Sequence, residues 1–173
     1  MKTNDDIIDN ILRWEGGFVD NQDDPGGATN WGITLVTFSR WLKRQGSKFE
    51  LSLLPKEDAR LIYKTQYIDL PHFDKIRDWN LRNLVVDCGV NHGRDRTAKW
   101  LQIALGGLKV DGFIGPLTLA KLNVSNWDKL YYEILGMRIR FYGQIVLGNP
   151  SQLKFLDGWM NRATSFLQKV EGA

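Results

Sequence analysis

The sequence predicts a mainly helical fold with at most a small β-hairpin. Apolar residues recur in steps of three and four through most of the chain, which is the spacing of a helix with one buried face. Capping residues or proline stand at the start of these segments, and glycine or proline at their ends. The segment 18–33 lacks this pattern, and short strands are expected there, around residues 18 and 31–33.

The predicted helices follow one another along the chain. The first covers residues 4–14 and ends at Gly16 and Gly17, because glycine adopts the left-handed conformation that follows helix termini. A second begins near Thr34, and a third covers "LPKEDARLIYKTQYIDL". The run "LRNLVVDCGVNHG" is apolar almost all round, which predicts a buried central helix. Further helices are expected over "RDRTAKWLQIAL", over a short segment opened by Pro116, and over residues 125–147 and 151–170.

The charge balance suits a polyanionic partner. The formal net charge is +3 and the isoelectric point is near 9.0, as in proteins that bind nucleic acid or an acidic cell wall. The excess is small and no block of like charges occurs, so a nucleic-acid binder is not expected. Seven tryptophans favour a sugar or nucleobase ligand. The basic residues of the C-terminal helices, Arg138, Arg140, Arg162 and Lys169, are expected mostly on a solvated face, with attraction to an anionic envelope as the alternative.

We expect neither a secretory signal nor a membrane span. The segment "MKTNDDIIDNILRWEGG" is acidic early and lacks the uninterrupted apolar core of a signal peptide. No apolar run approaches the roughly 18 residues of a transmembrane helix. Synthesis in the cytoplasm and no stable membrane association are the resulting expectations.

Cys88 is the only cysteine and lies in the apolar run "LVVDCGV", where a buried, unreactive side chain is expected. His92 follows four residues later, on the same face of a helix, so a thiol enzyme stays open as an alternative. With two histidines and one cysteine, the chain has no zinc-ligand set of the usual spacing. We expect no metal and no other cofactor.

Glu15 is the unusual residue of the first helix. It continues the apolar face of Ile8 and Ile11, so its carboxyl is expected to point inward at the helix end. Burial there disfavours the charged carboxylate, as a general acid working near neutral pH requires. The alternative is a helix-terminal glutamate that pairs with Arg13 or with an arginine further along.

Asp24 supplies a second carboxyl, nine residues after Glu15 and beyond the glycine break, in "DDPGG". A turn at this point can bring it opposite Glu15. Two carboxyls about 6.5–9.5 Å apart leave room for a water and invert a glycosidic centre, whereas about 5–5.5 Å gives the retaining route. An ordinary turn aspartate before proline is the alternative. Thr29, close behind, offers a hydroxyl that could help to hold the water.

The stretch "EGGFVDNQDDPGGAT" resembles the signature of glycoside hydrolase family 108, which is Glu-Gly-Gly, six residues, Asp, one residue, Gly-Gly, one residue and Thr. The stretch "NWGIT" continues this resemblance. The later segment "VVDCGVNHGRDRTAKWLQIALGGLKVDGFIGPLTLAKL" resembles the peptidoglycan-binding region of the family. One departure is Ile68, where a tryptophan usually follows the tyrosine.

The resemblance implies a lysozyme-like muramidase that cleaves the β-1,4 bond between N-acetylmuramic acid and N-acetylglucosamine in peptidoglycan. Glu15 falls on the general acid of the family. Asp24 and Thr29 fall where the wider group of phage lysozymes has an Asp and a Thr beside the catalytic water; the Glu-to-Asp spacing matches that group, whereas the threonine lies one residue closer. It also implies a phage endolysin or a secretion-linked lysozyme, which reaches periplasmic peptidoglycan after holin-type or dedicated release. We expect a monomer.

Further residues are predicted to contact the sugar. Tyr63 and Tyr67 stand one helical turn apart and could line a cleft, although a packing face is an equal alternative. Asn30 follows the signature threonine, and Asn91 ends the buried helix, where its amide could bond an N-acetyl group. The predicted organisation is a catalytic N-terminal lobe over residues 1–80 and a helical lobe over residues 81–173, packed as one unit.

Two other activities fit the same residues. A lytic transglycosylase would use Glu15 without needing Asp24 and would leave a 1,6-anhydro product. A non-catalytic peptidoglycan-binding protein would keep its wall affinity when Glu15 is replaced.

Overall fold

The structure, a computed structural model, describes residues 2–20 and 27–168. Within these residues it contains nine α-helices and one two-stranded antiparallel sheet, so the predicted mainly helical fold with a small hairpin is confirmed. The elements are α1 Asn4–Trp14, β1 Thr29–Asn30, β2 Ile33–Thr34, α2 Leu35–Leu42, α3 Lys48–Ser52, α4 Lys56–Tyr63, α5 Trp79–His92, α6 Arg94–Leu105, α7 Pro116–Asn123, α8 Trp127–Gly148 and α9 Leu156–Thr164. A π-helix covers Lys64–Asp69, and 3₁₀ turns cover Phe73–Lys75, Pro150–Phe155 and Ser165–Leu167.

The chain divides into two compact units. The N-terminal unit is Thr3–Ile68, and the C-terminal unit is Asp69–Ala173 together with the first two residues. The division falls at the end of the π-helix, whereas the sequence-based boundary was placed between residues 80 and 81. No helix in the described part of the chain is long and apolar enough to cross a bilayer.

Helix α1 begins at a capping box. The Thr3 hydroxyl accepts a hydrogen bond from the Asp6 N–H, and the Asp6 carboxylate accepts one from the Thr3 N–H at 2.6 Å. The helix buries one apolar face, as its spacing predicts, and that face consists of Ile7, Ile8, Ile11 and Leu12. The packing of this face fixes the rotation of the helix and therefore the direction in which its last residues point.

The hairpin connects its strands through a two-residue turn. Thr29 pairs with Thr34 and Asn30 with Ile33, which leaves Trp31 and Gly32 at the turn. Both have positive φ, 52° and 73°, as the common two-residue hairpin turn requires. Trp31 keeps this unfavourable backbone because its indole N–H donates to the Leu54 carbonyl oxygen at 3.0 Å, which anchors the side chain.

The predicted third helix is helical from Lys56 to Asp69 but not regular. It begins as α4 and widens into the π-helix Lys64–Asp69. Ile68 in the π-helix is fully buried, so the wider turn is packed against the core of its unit rather than frayed. Widened turns of this kind are frequent near functional sites.

Helix α5 is buried as predicted, and it carries a charge network in its middle. Asp87, which is 3 % exposed, pairs with Arg138 Nη1 at 2.7 Å and Arg162 Nη2 at 2.8 Å. The expectation of a solvated basic face is therefore wrong for these two arginines, because each is held inside by the Asp87 carboxylate. Arg140 remains exposed, and Lys169 lies outside the described residues.

The second long C-terminal helix is shorter than predicted. Residues 150–155 form 3₁₀ turns and none of them is buried, so no packed face supports a regular α-helix there. The α-helical part is α9, which buries Arg162 and Ala163.

Candidate active site

Glu15 lies where α1 ends. Its backbone is already extended, with φ −89° and ψ 138°, and its N–H still bonds the Ile11 carbonyl oxygen at 3.2 Å. The residue is partly buried, less so than its place on the apolar face predicts. The helix therefore fixes the backbone of Glu15, while part of its side chain remains accessible to solvent.

The Glu15 carboxyl lies directly against the hairpin turn. A Cβ atom added at Gly32 would stand 2.5 Å from Glu15 Oε2 and 2.6 Å from the Tyr63 hydroxyl oxygen. Both distances are far below any real Cβ contact, so only glycine lets these two polar groups approach this backbone. The turn thus brings together Glu15 from α1 and Tyr63 from α4.

Tyr63 supports this arrangement from inside the unit. Its side chain is fully buried, and its hydroxyl donates to the Trp31 carbonyl oxygen at 2.8 Å. This burial favours the packing alternative for the Tyr63 ring, and its direct sugar contact stays a prediction. Tyr67 is partly exposed, and its ring packs on that of Tyr63 with centroids 5.7 Å apart.

Asn30 is also structural rather than sugar-facing. It is 4 % exposed, and its amide donates to the carbonyl oxygens of Leu51 at 2.9 Å and Ser52 at 3.1 Å. These bonds satisfy two carbonyl oxygens at the end of α3 and connect that helix to β1. Both amide hydrogens of Asn30 therefore have backbone partners, which favours a structural role, and its substrate contact stays a prediction.

Thr29 begins β1 and is partly exposed. Its backbone N–H and carbonyl both bond Val19 at 2.8 Å, so its strand is fixed on both sides. Asp24, the predicted second carboxyl, lies outside the described residues.

Asn91 belongs to the C-terminal unit, near the end of α5. It is exposed, and its amide donates to the Asp87 carbonyl oxygen at 2.8 Å within the same helix. The structure thus brings Glu15, Tyr63 and Tyr67 into one cluster of the N-terminal unit, whereas Asn91 lies in the other unit.

A thiol nucleophile is not supported. Cys88 is completely buried, and burial raises the pKa of its thiol to about 12. The His92 ring packs among Trp100, Phe141 and Tyr142, with centroids 5.1–5.4 Å away, and burial lowers its pKa to about 3. A reactive thiolate needs the opposite shifts in both groups. Among the described residues, no three His, Cys, Asp or Glu side chains gather as a metal site would need.

Arg60 is a supporting residue that sequence reasoning missed. It is on α4 and pairs with Asp9 and, at 3.4 Å, with Asp5, both on α1. The ion pairs join the helix that carries Glu15 to the helix that carries Tyr63. No local sequence signal reveals them, because the partners are more than 50 residues apart.

Comparison with known proteins covers both units. Residues 8–93 match the family model described as "Glycosyl hydrolase 108", and residues 96–164 match one described as "Predicted Peptidoglycan domain". Among solved structures, that of Brucella abortus SagA is similar to the chain, with 32 % sequence identity and a TM-score of 0.83. The similarity covers 94 % of this chain and 90 % of that one. A search of curated protein sequences finds no match.

Proposed function

The chain belongs to the glycosyl hydrolase 108 family and is a peptidoglycan hydrolase, and from this premise we propose that it is a muramidase with Glu15 as general acid. The bond cleaved is the β-1,4 linkage between N-acetylmuramic acid and N-acetylglucosamine. The observation that carries the proposal is the placement of the Glu15 carboxyl against Gly32 beside the buried Tyr63 hydroxyl.

This placement suits proton donation. A general acid must be held within hydrogen-bond reach of the leaving oxygen while its own geometry stays fixed. Glu15 is anchored by the packed face of α1, and the turn backbone limits the positions that its carboxyl adopts. In the proposed step the carboxyl proton moves to the glycosidic oxygen as the bond to the anomeric carbon breaks.

Asp24 is proposed to orient the attacking water. As the water oxygen adds to the anomeric carbon, the Asp24 carboxylate would accept a proton from the water. Glu15 therefore loses one proton and Asp24 gains one in the reaction. Thr29 is proposed to hold the same water through its hydroxyl, and the bonds of β1 to Val19 support a fixed position for it. Both roles rest on the resemblance to the wider group of phage lysozymes, whose spacing Asp24 matches and from which Thr29 departs by one residue.

Two residues are proposed to contact the sugar chain. The partly exposed ring of Tyr67 offers a face for a pyranose ring, and it is braced from behind by Tyr63. Asn91 is proposed to bond an N-acetyl group through its exposed side chain. Tyr63 and Asn30 act as supports of the site.

The proposed biological role is that of an endolysin. The chain would act as a monomer on periplasmic peptidoglycan after holin-type or dedicated release, without stable association with membranes or nucleic acid. The modest formal charge of +3 supports attraction to an anionic envelope.

Hydrolysis of isolated Gram-negative sacculi tests the proposal. Wild type should release fragments whose mass spectra show a free reducing N-acetylmuramic acid, and Glu15→Gln should release none. The matched control is Glu57→Gln, the same exchange at an exposed position of α4, where the carboxylate lies 3.8 Å from Arg60 Nε. A 1,6-anhydro product would identify a transglycosylase instead. If wild type binds the sacculi but releases no product, and Glu15→Gln binds them equally well, the chain is a binding protein.

A further inference from the structure

We propose that the C-terminal unit binds the acidic peptide stem of peptidoglycan in a cavity beside Phe113. The inference rests on the proposed function, because it takes peptidoglycan as the substrate. The cavity has a volume of about 240 Å³ and lies between the start of α6, the loop before α7 and the segment after the π-helix. Its walls include Pro71, His72, Arg94, Asp95, Gly112 and Phe113.

Phe113 is an exposed aromatic residue on a rigid loop. The residue is 62 % exposed, yet its loop is held by the buried Gln102. The Gln102 side chain accepts from the Gly112 N–H at 2.8 Å and donates to the Phe113 carbonyl oxygen at 3.0 Å and to Asp111 Oδ1 at 2.9 Å. Asp111 Oδ1 also accepts from the Phe113 N–H at 2.9 Å. A ring presented in this way binds a ligand without the entropic cost of ordering its loop.

The position of the ring is itself fixed. A Cβ atom at Gly115 would stand 2.8 Å from Phe113 Cε1, so the glycine lets the ring lie close over the backbone. On the other side, His72 meets the ring edge to face, with centroids 6.3 Å apart and planes at 80°. Together His72 and Phe113 form an aromatic wall of the cavity.

The cavity is also lined by two charged side chains, and the cationic excess lies in the depression beside it. Arg94 and Asp95 line the cavity, and Asp95 Oδ2 already bonds Lys99 Nζ at 2.7 Å. A neighbouring depression shares Arg94 and Asp95 and adds Arg96 and Lys99. Across the two depressions three cationic side chains accompany one carboxylate, and this balance favours an anionic ligand whose charged end reaches the edge shared by both.

Size and chemistry together identify the ligand class. The volume is below the roughly 300–1,000 Å³ of sites for drug-sized ligands, so one or two small amino acids fit better than a disaccharide. Peptidoglycan stems carry alanine methyl groups and free carboxylates. A methyl group would pack on the Phe113 ring while a carboxylate pairs with the Arg94 guanidinium, the preferred geometry for such an anion.

Binding of a sugar-free stem peptide to the full chain tests this inference. The probe is the tetrapeptide alanyl-γ-glutamyl-diaminopimelyl-alanine, titrated by calorimetry and by NMR shift changes. We expect Phe113→Ala and Arg94→Gln each to raise the Kd at least about tenfold. The control Phe49→Ala removes a phenyl group that is 71 % exposed in the N-terminal unit and should leave the Kd unchanged.

Three results would overturn the inference: no binding by wild type at roughly 10 mM peptide, an unchanged Kd in Phe113→Ala, or equal binding of the methyl-esterified peptide. Digestion of sacculi by wild type distinguishes failure of the stem site from failure of the proposed function. Wild type that digests sacculi but does not bind the peptide contradicts only the stem site, whereas wild type that digests no sacculi contradicts the proposed function.

Discussion

The Tyr63 hydroxyl donates a hydrogen bond to the Trp31 carbonyl oxygen at 2.8 Å. This bond ties α4 to the hairpin turn, and the same turn receives the Glu15 carboxyl at Gly32. The position of the proposed general acid therefore depends on a buried tyrosine that touches no substrate. A change at Tyr63 should act on the rate through Glu15 and the turn rather than through sugar binding.

Tyr63→Phe should lower kcat about tenfold on sacculi and change KM little, because the variant loosens the turn without removing a sugar contact. The free energy of unfolding should fall by about 1 kcal/mol, the usual value of one hydrogen bond. Steady-state kinetics and urea denaturation measure the two effects. Tyr132→Phe, at an exposed position of α8, is the control. A rise in KM at constant kcat would show that Tyr63 binds substrate after all.

Gly32→Ala should lower kcat at least about a hundredfold, because the added Cβ would displace the Glu15 carboxyl. It should also cost at least roughly 1–2 kcal/mol of stability, since φ is +73° and the Cβ would meet the buried Tyr63 hydroxyl. Gly106→Ala separates the two effects: its φ is +63°, but its Cβ would meet nothing within 4 Å. The control should lose roughly 1–2 kcal/mol through backbone strain alone and keep its kcat. Comparable activity in both variants would refute the steric role of Gly32.

Asp87→Asn should destabilise the chain by about 3–5 kcal/mol, because the variant leaves Arg138 and Arg162 as uncompensated buried charges. Guanidinium denaturation at pH 7 measures the loss. Glu133→Gln breaks an exposed pair with Lys129 at 3.7 Å in α8 and should change stability by less than about 0.5 kcal/mol. Equal effects of the two variants would mean that the buried network contributes no more than a surface pair.

Stability should fall as the pH drops from 7 to 5, because of His92. Burial, with Arg138 nearby, lowers the pKa of His92 to about 3, so the folded state keeps the ring neutral. The unfolded chain takes up the proton below its ordinary pKa of about 6.5, and this uptake favours unfolding. The loss should reach about 2 kcal/mol at pH 5. His92→Phe should flatten this pH dependence in urea denaturation, and an unchanged slope would contradict the assignment.

The helices were predictable where one segment determines its own structure. The apolar spacing of α1 and the all-round apolar character of α5 place both helices correctly, and the glycines after Trp14 mark the end of the first. The widening after Tyr63 was not predictable, since nothing in "YKTQYID" distinguishes a π-helix from an α-helix. The burial of Arg162 was not predictable from local sequence either, because its partner Asp87 is 75 residues away.

The candidate site shows the same limit. Glu15 stands out because it continues an apolar face and opens the family signature. Its neighbours Gly32 and Tyr63 come from a hairpin and a later helix, so their approach depends on tertiary packing that spacing does not encode. Asn30 illustrates the converse, because a polar residue next to the signature proves to bond the backbone at the end of α3.

The most direct measurement is how strongly the loss of rate in Glu15→Gln depends on the leaving group of the substrate. A general acid is needed for a sugar leaving group but not for an activated dinitrophenolate, which departs without a proton. We predict that Glu15→Gln loses about a thousandfold or more of the rate on sacculi yet hydrolyses a dinitrophenyl glycoside of the same glycan near the wild-type rate. Equal losses on both substrates would contradict Glu15 as the proton donor.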